Sequence, residues 1–203
     1  MLTRIAVFVS GGGTNLQALI DAAKAGKIRS GELCLVVSSN PNAYALTRAA
    51  QAGIPACTVD PKSCASQAEY EAKLLEVLRT SRIDMIVLAG YLKILSPEFV
   101  ARYPNAILNV HPALIPSFCG KGYYGLKVHA CALERGVKLT GATVHFVNGE
   151  ADGGPILYQK AVPVRPGDTP EILQRRVMEK AEWVLLPRAV EKVARDMAKN
   201  KKD

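Results

Sequence analysis

The stretch RIAVFVSGGGTNLQALIDAAKAG, residues 4–26, decides the fold. Ile5, Ala6, Val7, Phe8 and Val9 form a short unbroken apolar run, which is how a strand buried on both faces reads. Ser10-Gly11-Gly12-Gly13 interrupts it. Leu16, Leu19, Ile20 and Ala23 then recur at helical spacing until Gly26 closes the pattern. A strand that turns at once into an amphipathic helix is half of a β-α-β unit, and the grammar repeats outward. Residues 33–37 read as a second buried strand. Residues 43–52 read as a helix after Asn40-Pro41-Asn42, and residues 56–59 as a short strand. Residues 66–80 carry Tyr70, Leu74, Leu75 and Leu78 on one helical face. Residues 85–89 and 107–110 are further apolar runs. This alternation predicts a Rossmann-like α/β fold, a mostly parallel sheet with helices on both faces and right-handed crossovers.

After His111 the pattern changes. Pro112, Pro116, Gly120, Gly122 and Gly125 punctuate a long loop, followed by a helical pattern over residues 126–133. Residues 141–147 and 156–164 read as two strands, either a hairpin or an addition to the sheet edge. Asp168-Thr169-Pro170-Glu171 is a helix start, with proline early in the first turn, and the last helix is expected to run toward Asn200. No repeat or linker divides the chain, so residues 1–203 read as one domain.

Composition narrows the function classes. At 203 residues with 49% hydrophobic and 22% charged, the chain can bury a core without metal or disulfide staples. The apolar runs are too short to cross a bilayer, and a five-residue apolar stretch at the N-terminus is too short for a signal peptide; a cytoplasmic protein is expected. The five cysteines are odd in number and form no CxxC pair, which argues for reduced thiols and no structural zinc. Net charge is +8. Arg175, Arg176, Arg188, Lys192, Arg195, Lys199, Lys201 and Lys202 load the C-terminal stretch, as a solvated helix face does. Only 6% of residues are aromatic, with no aromatic–basic alternation to stack bases, so nucleic acid is not the expected partner. A small anionic substrate suits this charge equally well.

Three segments could carry chemistry. At Ser10–Asn15 the glycines admit close backbone approach, and a helix N-terminus presents free N–H groups, so a phosphate fits Gly13, Thr14 and Asn15. The spacing is neither GxxxxGK[ST] nor GxGxxG, and a tight turn without ligand would read the same way. Asn109 and His111 share one face of an extended chain, at the C-terminal end of a strand, where open α/β sheets place ligands. There an amide can donate to an oxyanion while an imidazole handles a proton; a hydrogen-bonded turn before Pro112 is the alternative. Asp152 lies with Glu150 in a polar loop before Gly153-Gly154-Pro155. It is either a turn residue or a partner that raises the pKa of His111 above its ordinary value. His129 and His145 read as structural or supporting residues, and nothing local marks Cys119 as an activated thiol.

Taken together, AVFVSGGGTNLQALIDA, IDMIVLAGYLKILSPEFV, ILNVHPALIPSF and GATVHFVNGEADGGPI resemble the formyltransferase family that uses 10-formyltetrahydrofolate. SGGGTNLQ is similar to the branch that formylates glycinamide ribonucleotide in purine biosynthesis. The resemblance implies a catalytic trio of Asn109, His111 and Asp152, and a substrate-phosphate loop at Gly13, Thr14 and Asn15. It implies a folate-binding segment at Leu92, Lys93, Ile94 and Leu95, with Asn109 and Gln67 beside it, and Glu182 at the substrate ribose. Residues 1–100 would then form a phosphate-binding half and 101–200 a folate and catalytic half. No metal is implied, and oligomeric state stays open. The chain departs from the family's common pattern at Gly12, Thr14, Ala113 and Cys119, and carries Gln67 and Lys127 where some relatives have arginine and histidine.

The implied reaction is transfer of the formyl group to the ribonucleotide amine. Two relatives in chemistry are rivals: a formyltetrahydrofolate hydrolase, expected to carry an extra N-terminal domain, and a methionyl-tRNA formyltransferase, expected to carry a C-terminal nucleic-acid-binding domain. A non-catalytic phosphate or nucleotide-binding module would keep the glycine turn without needing the trio.

Overall fold

A computed structural model describes residues 1–200; Lys201 and Lys202 of the basic stretch lie outside the described residues. Strands β1 (Thr3–Val9), β2 (Gly31–Ser38), β3 (Ala56–Thr58), β4 (Met85–Leu88), β5 (Ile107–His111), β6 (Leu139–Phe146) and β7 (Ile156–Pro163) form one sheet in the order β3-β2-β1-β4-β5-β6-β7. The first five strands are parallel. β6 runs antiparallel to β5, and β7 antiparallel to β6. The last two strands are therefore both a hairpin and a sheet-edge addition.

Helices α1 (Thr14–Lys24), α2 (Tyr44–Gln51), α3 (Gln67–Thr80), α4 (Pro97–Val100), α5 (Leu126–Arg135), α6 (Pro170–Val177) and α7 (Trp183–Asn200) cover the sheet. Alternate residues of β1 feed two cores. Ile5, Val7 and Val9 pack with Leu16 and Leu19 of α1 and with Leu186 and Val190 of α7. Ala6 and Phe8 pack with Leu74 and Leu78 of α3 and with Phe99 of α4. Ser66 caps α3 by accepting from the Glu69 N–H, and Thr169 caps α6 by accepting from the Ile172 N–H.

The C-terminal stretch is not one continuous α-helix. A π-helical turn, Met178–Glu182, separates α6 from α7, and Pro187 sits inside α7. A π turn holds more residues per turn than an α-helix, so it rotates the side chains beyond it and often marks a functional position. Glu182 is the last residue of that turn.

β1 is flanked by β2 on one side and β4 on the other. Chain order reverses there, which opens a crevice beyond the carboxyl ends of the strands. The loops after β1, β4 and β5 all leave at this edge.

Candidate active site

The glycine turn is built to expose donors. The carbonyl of Gly11 accepts from the Ala45 N–H at 3.1 Å, and that of Gly13 accepts from Gln17 N–H at 2.9 Å. Gly12 O accepts from Arg48 Nε at 2.8 Å. With all three carbonyls engaged by protein, the N–H groups of Gly11, Gly12 and Gly13 have no protein acceptor among the described residues. They lie against the N-terminus of α1, where positive dipole character accumulates. Gly13 has φ +71°, and a Cβ there would stand 2.7 Å from Ala45 Cβ, so only glycine fits.

Asn15 and Glu182 meet across the chain's whole length: Asn15 Nδ2 donates to Glu182 Oε2 at 2.7 Å. Both are buried. Burial pushes the Glu182 carboxyl up to about 7, with the Asn15 hydrogen bond offsetting part of the shift. Asn15 Oδ1 is buried with no partner, an acceptor open to a hydroxyl or amine donor.

Asn109, His111 and Asp152 converge. Asn109 Nδ2 lies 3.3 Å from Asp152 Oδ1, and His111 Nδ1 lies 3.4 Å from Asp152 Oδ2. Period-two alternation puts the first two on one face, and Asp152 is delivered by the loop between β6 and β7. Asp152 has φ +57°, and its Oδ2 accepts from the Gly120 N–H at 2.9 Å. Gly154 makes this loop possible, since a Cβ there would come within 1.8 Å of the Phe146 carbonyl.

His145 belongs to the same cluster. It pairs with Asn109 across β5 and β6, and its Nε2 is 3.1 Å from Asn109 Nδ2 and 3.5 Å from Asp152 Oδ1. The Phe146 carbonyl, 2.8 Å away, accepts from His145 Nδ1–H, so in the neutral ring Nε2 accepts from Asn109. Its supporting role matches the sequence reading; the antiparallel register that puts it opposite Asn109 is the part the sequence did not signal.

One expectation is corrected. Asp152 does pull the His111 pKa upward, as does the Phe118 carbonyl, 2.8 Å from Nε2. Burial outweighs both, with a smaller push from His145, and His111 sits below the ordinary histidine value. The resting ring is therefore neutral near pH 7. Burial also raises Asp152, but the facing imidazoles of His145 and His111 and the Gly120 N–H together overcome it and hold the carboxylate below its ordinary range. Burial first, then Asp152, pushes the Cys119 thiol up, the opposite of nucleophile activation.

A cavity of about 600 Å³ is bordered by Asn15 and Glu182, by the trio and by Leu92–Leu95. Leu92 is 58% exposed and Ile94 61%, whereas Leu95 is 5% exposed and belongs to the α3-side core. Lys93 is exposed at the rim. Gln67 does not border the cavity; its amide donates to Glu71 and to the Ile94 carbonyl. A larger groove of about 960 Å³ between α1 and α7 touches the glycine turn only at Thr14 and holds none of the trio.

The Formyl transferase family model matches residues 3–190, and the chain belongs to that family. Its relatives include a phosphoribosylglycinamide formyltransferase of Haemophilus influenzae, 42% identical over 92% of this chain and 84% of that protein. The trifunctional purine biosynthetic protein adenosine-3 of Gallus gallus is 44% identical over 94% of this chain, which spans only 18% of that protein. Among solved structures, glycinamide ribonucleotide transformylase 1 from Symbiobacterium toebii superposes with a TM-score of 0.89 at 42% identity, covering 95% of this chain and 88% of that one.

Proposed function

We propose that this chain transfers a formyl group from 10-formyltetrahydrofolate to the amine of glycinamide ribonucleotide, a step of purine biosynthesis. The observation that carries the reading is one cavity bordered by Thr14 and Asn15, which follow the glycine turn, by the Asn109–His111–Asp152 cluster and by a segment with exposed Leu92 and Ile94. The names and identities of the relatives support the same substrates.

The ribonucleotide phosphate lies on the N–H groups of Gly13, Thr14 and Asn15, and Glu182 with Asn15 faces the ribose. Acceptors that are buried and incompletely paired suit a vicinal diol, which brings donors. The folate heterocycle lies along Leu92–Ile94, which supplies apolar contact and backbone groups in a concave pocket. The phosphate and heterocycle subsites both lie within residues 1–100, and the ribose subsite joins the two halves through the Asn15–Glu182 bond.

The amine nitrogen forms a bond to the formyl carbon, and the bond from that carbon to N10 breaks. One Asn109 N–H stays on His145. The other, on a long 3.3 Å contact to Asp152, turns to the developing oxyanion. Asp152 directs a water that takes the proton from the attacking amine. His111, neutral at rest, receives it and passes it to N10 as that nitrogen departs. Asp152 stabilises the imidazolium only while it exists, which favours the transition state over the ground state.

Tetrahydrofolate release measured with and without the ribonucleotide tests the reading. Release that depends on the ribonucleotide supports transfer. Equal release in its absence identifies a hydrolase instead.

A further inference from the structure

The segment after β4 has no secondary structure of its own beyond a bend at Lys93, yet a heterocycle read by backbone groups needs those groups fixed. Three side chains hold it from behind. Ser10 is buried, and its Oγ accepts from the Leu92 N–H at 2.9 Å while bonding Ser39 Oγ at 2.7 Å. Ser10 Oγ is thus held between the Leu92 N–H and the Ser39 hydroxyl. At the other end Glu71, also buried, accepts from the Ser96 N–H at 2.7 Å and from the Ser96 hydroxyl in a very short bond. Glu71 also accepts from Gln67 Nε2 at 2.9 Å, and the same Gln67 nitrogen donates to the Ile94 carbonyl at 3.2 Å.

These bonds anchor Leu92 N–H, Ile94 C=O and Ser96 N–H. They leave the N–H groups of Lys93 and Ile94 and the carbonyls of Leu92 and Lys93 without protein partners among the described residues. We propose that Ser10 and Glu71 are positioning residues that clamp the two ends of the Leu92–Leu95 backbone, presenting its remaining donors and acceptors to the folate heterocycle. This rests on the folate reading of that segment. Neither side chain is among the residues bordering the cavity, so each acts through the backbone it holds. Among the described residues Glu71 has no cation partner and bonds Ser96 and Gln67, an arrangement that rigidifies when every donor is matched.

The test is steady-state kinetics of Ser10→Ala, Glu71→Gln and Leu92→Asp, each with its melting temperature. Ser10→Ala removes an acceptor, and Glu71→Gln places an amide N–H against a donor. Given the worth of single neutral and charged hydrogen bonds, the KM for formyl-folate should rise about fivefold and about tenfold respectively. The KM for the ribonucleotide should stay within about twofold, and kcat at saturation should change less than the folate KM. A residue that merely stabilises the fold would lower the melting temperature and leave this split absent. Leu92→Asp separates the two layers. If it raises the folate KM while Ser10→Ala and Glu71→Gln leave it unchanged, the clamp is wrong and the folate site stands. If all three leave it unchanged, the folate site itself is misplaced. Should Glu71→Gln not fold, the smaller Ser10→Ala change decides alone by the same split.

Discussion

Glu182→Gln should make the protein more stable in mild alkali than the parent, and by an amount that grows with pH. Burial moves the parent carboxyl from 4.5 up to about 7. Between those values the folded state holds a proton that the unfolded chain has lost. Protons bound in the unfolded state are then fewer than in the folded state, so stability falls as pH rises through the window and levels off above it. Integrated from about pH 5 to about pH 8, the loss is about 2–3 kcal/mol, since a tenfold change in proton affinity is worth about 1.4 kcal/mol. Glutamine keeps the shape and an acceptor for Asn15 Nδ2 but does not titrate. Relative to the parent, its melting temperature should therefore rise by about 5–10 °C between those two pH values, at about 2–4 °C per kcal/mol for a chain of this size. Thermal unfolding followed by circular dichroism at both pH values, parent against variant, measures the change. A melting-temperature difference that stays constant with pH would refute a burial-shifted carboxyl at this position. In the same variant the ribonucleotide KM should rise, because an amide offers the ribose one acceptor fewer.

Three further outcomes follow from the geometry. His111→Ala and Asp152→Ala should each lower kcat by about 10²–10⁴ with little change in folate binding, because both act on charge that appears only in the transition state; comparable losses in folate Kd by fluorescence titration would contradict this. Gly13→Val should cost stability as well as ribonucleotide affinity, since its Cβ meets Ala45 and its φ is +71°. Gly12→Ala, which has open space around its Cβ, should fold normally and isolate any effect on ribonucleotide KM. Leu92→Asp should keep the parent melting temperature because Leu92 is 58% exposed, whereas Leu95→Asp at 5% exposure should unfold the chain or lower its melting temperature sharply.

Much of the fold was legible because strand and helix carry different periods. Ile5–Val9 and Leu16–Ala23 announce β1 and α1 by themselves, and Met85–Leu88 announces β4. The trio's first two members were legible from alternation along β5. Asp152 came only with the family resemblance, since sequence distance is silent about which loop folds over which strand; its place depends on the close approach of Gly154 to the Phe146 carbonyl. The direction of the His111 shift was also hidden. Charge partners can be proposed from sequence, but the burial that outweighs them comes from tertiary packing. Ser10 and Glu71 carried no signal for a similar reason: an ordinary serine ending a strand and an ordinary glutamate on an amphipathic helix become specific only when the backbone after β4 arrives beside them. The π turn before Trp183 escaped the helical reading because its five residues, Met178–Glu182, are too few to show a change of period by themselves.

The central claim is that the trio moves a formyl group to an amine, not to water. A single turnover with excess enzyme, 10-formyltetrahydrofolate labelled at the formyl carbon and glycinamide ribonucleotide, resolved by mass spectrometry, follows that carbon directly. The label is expected on the ribonucleotide amine in the parent protein and to remain on the folate in Asn109→Ala. Recovery of the label as free formate in the parent, with the ribonucleotide unlabelled, would contradict the account.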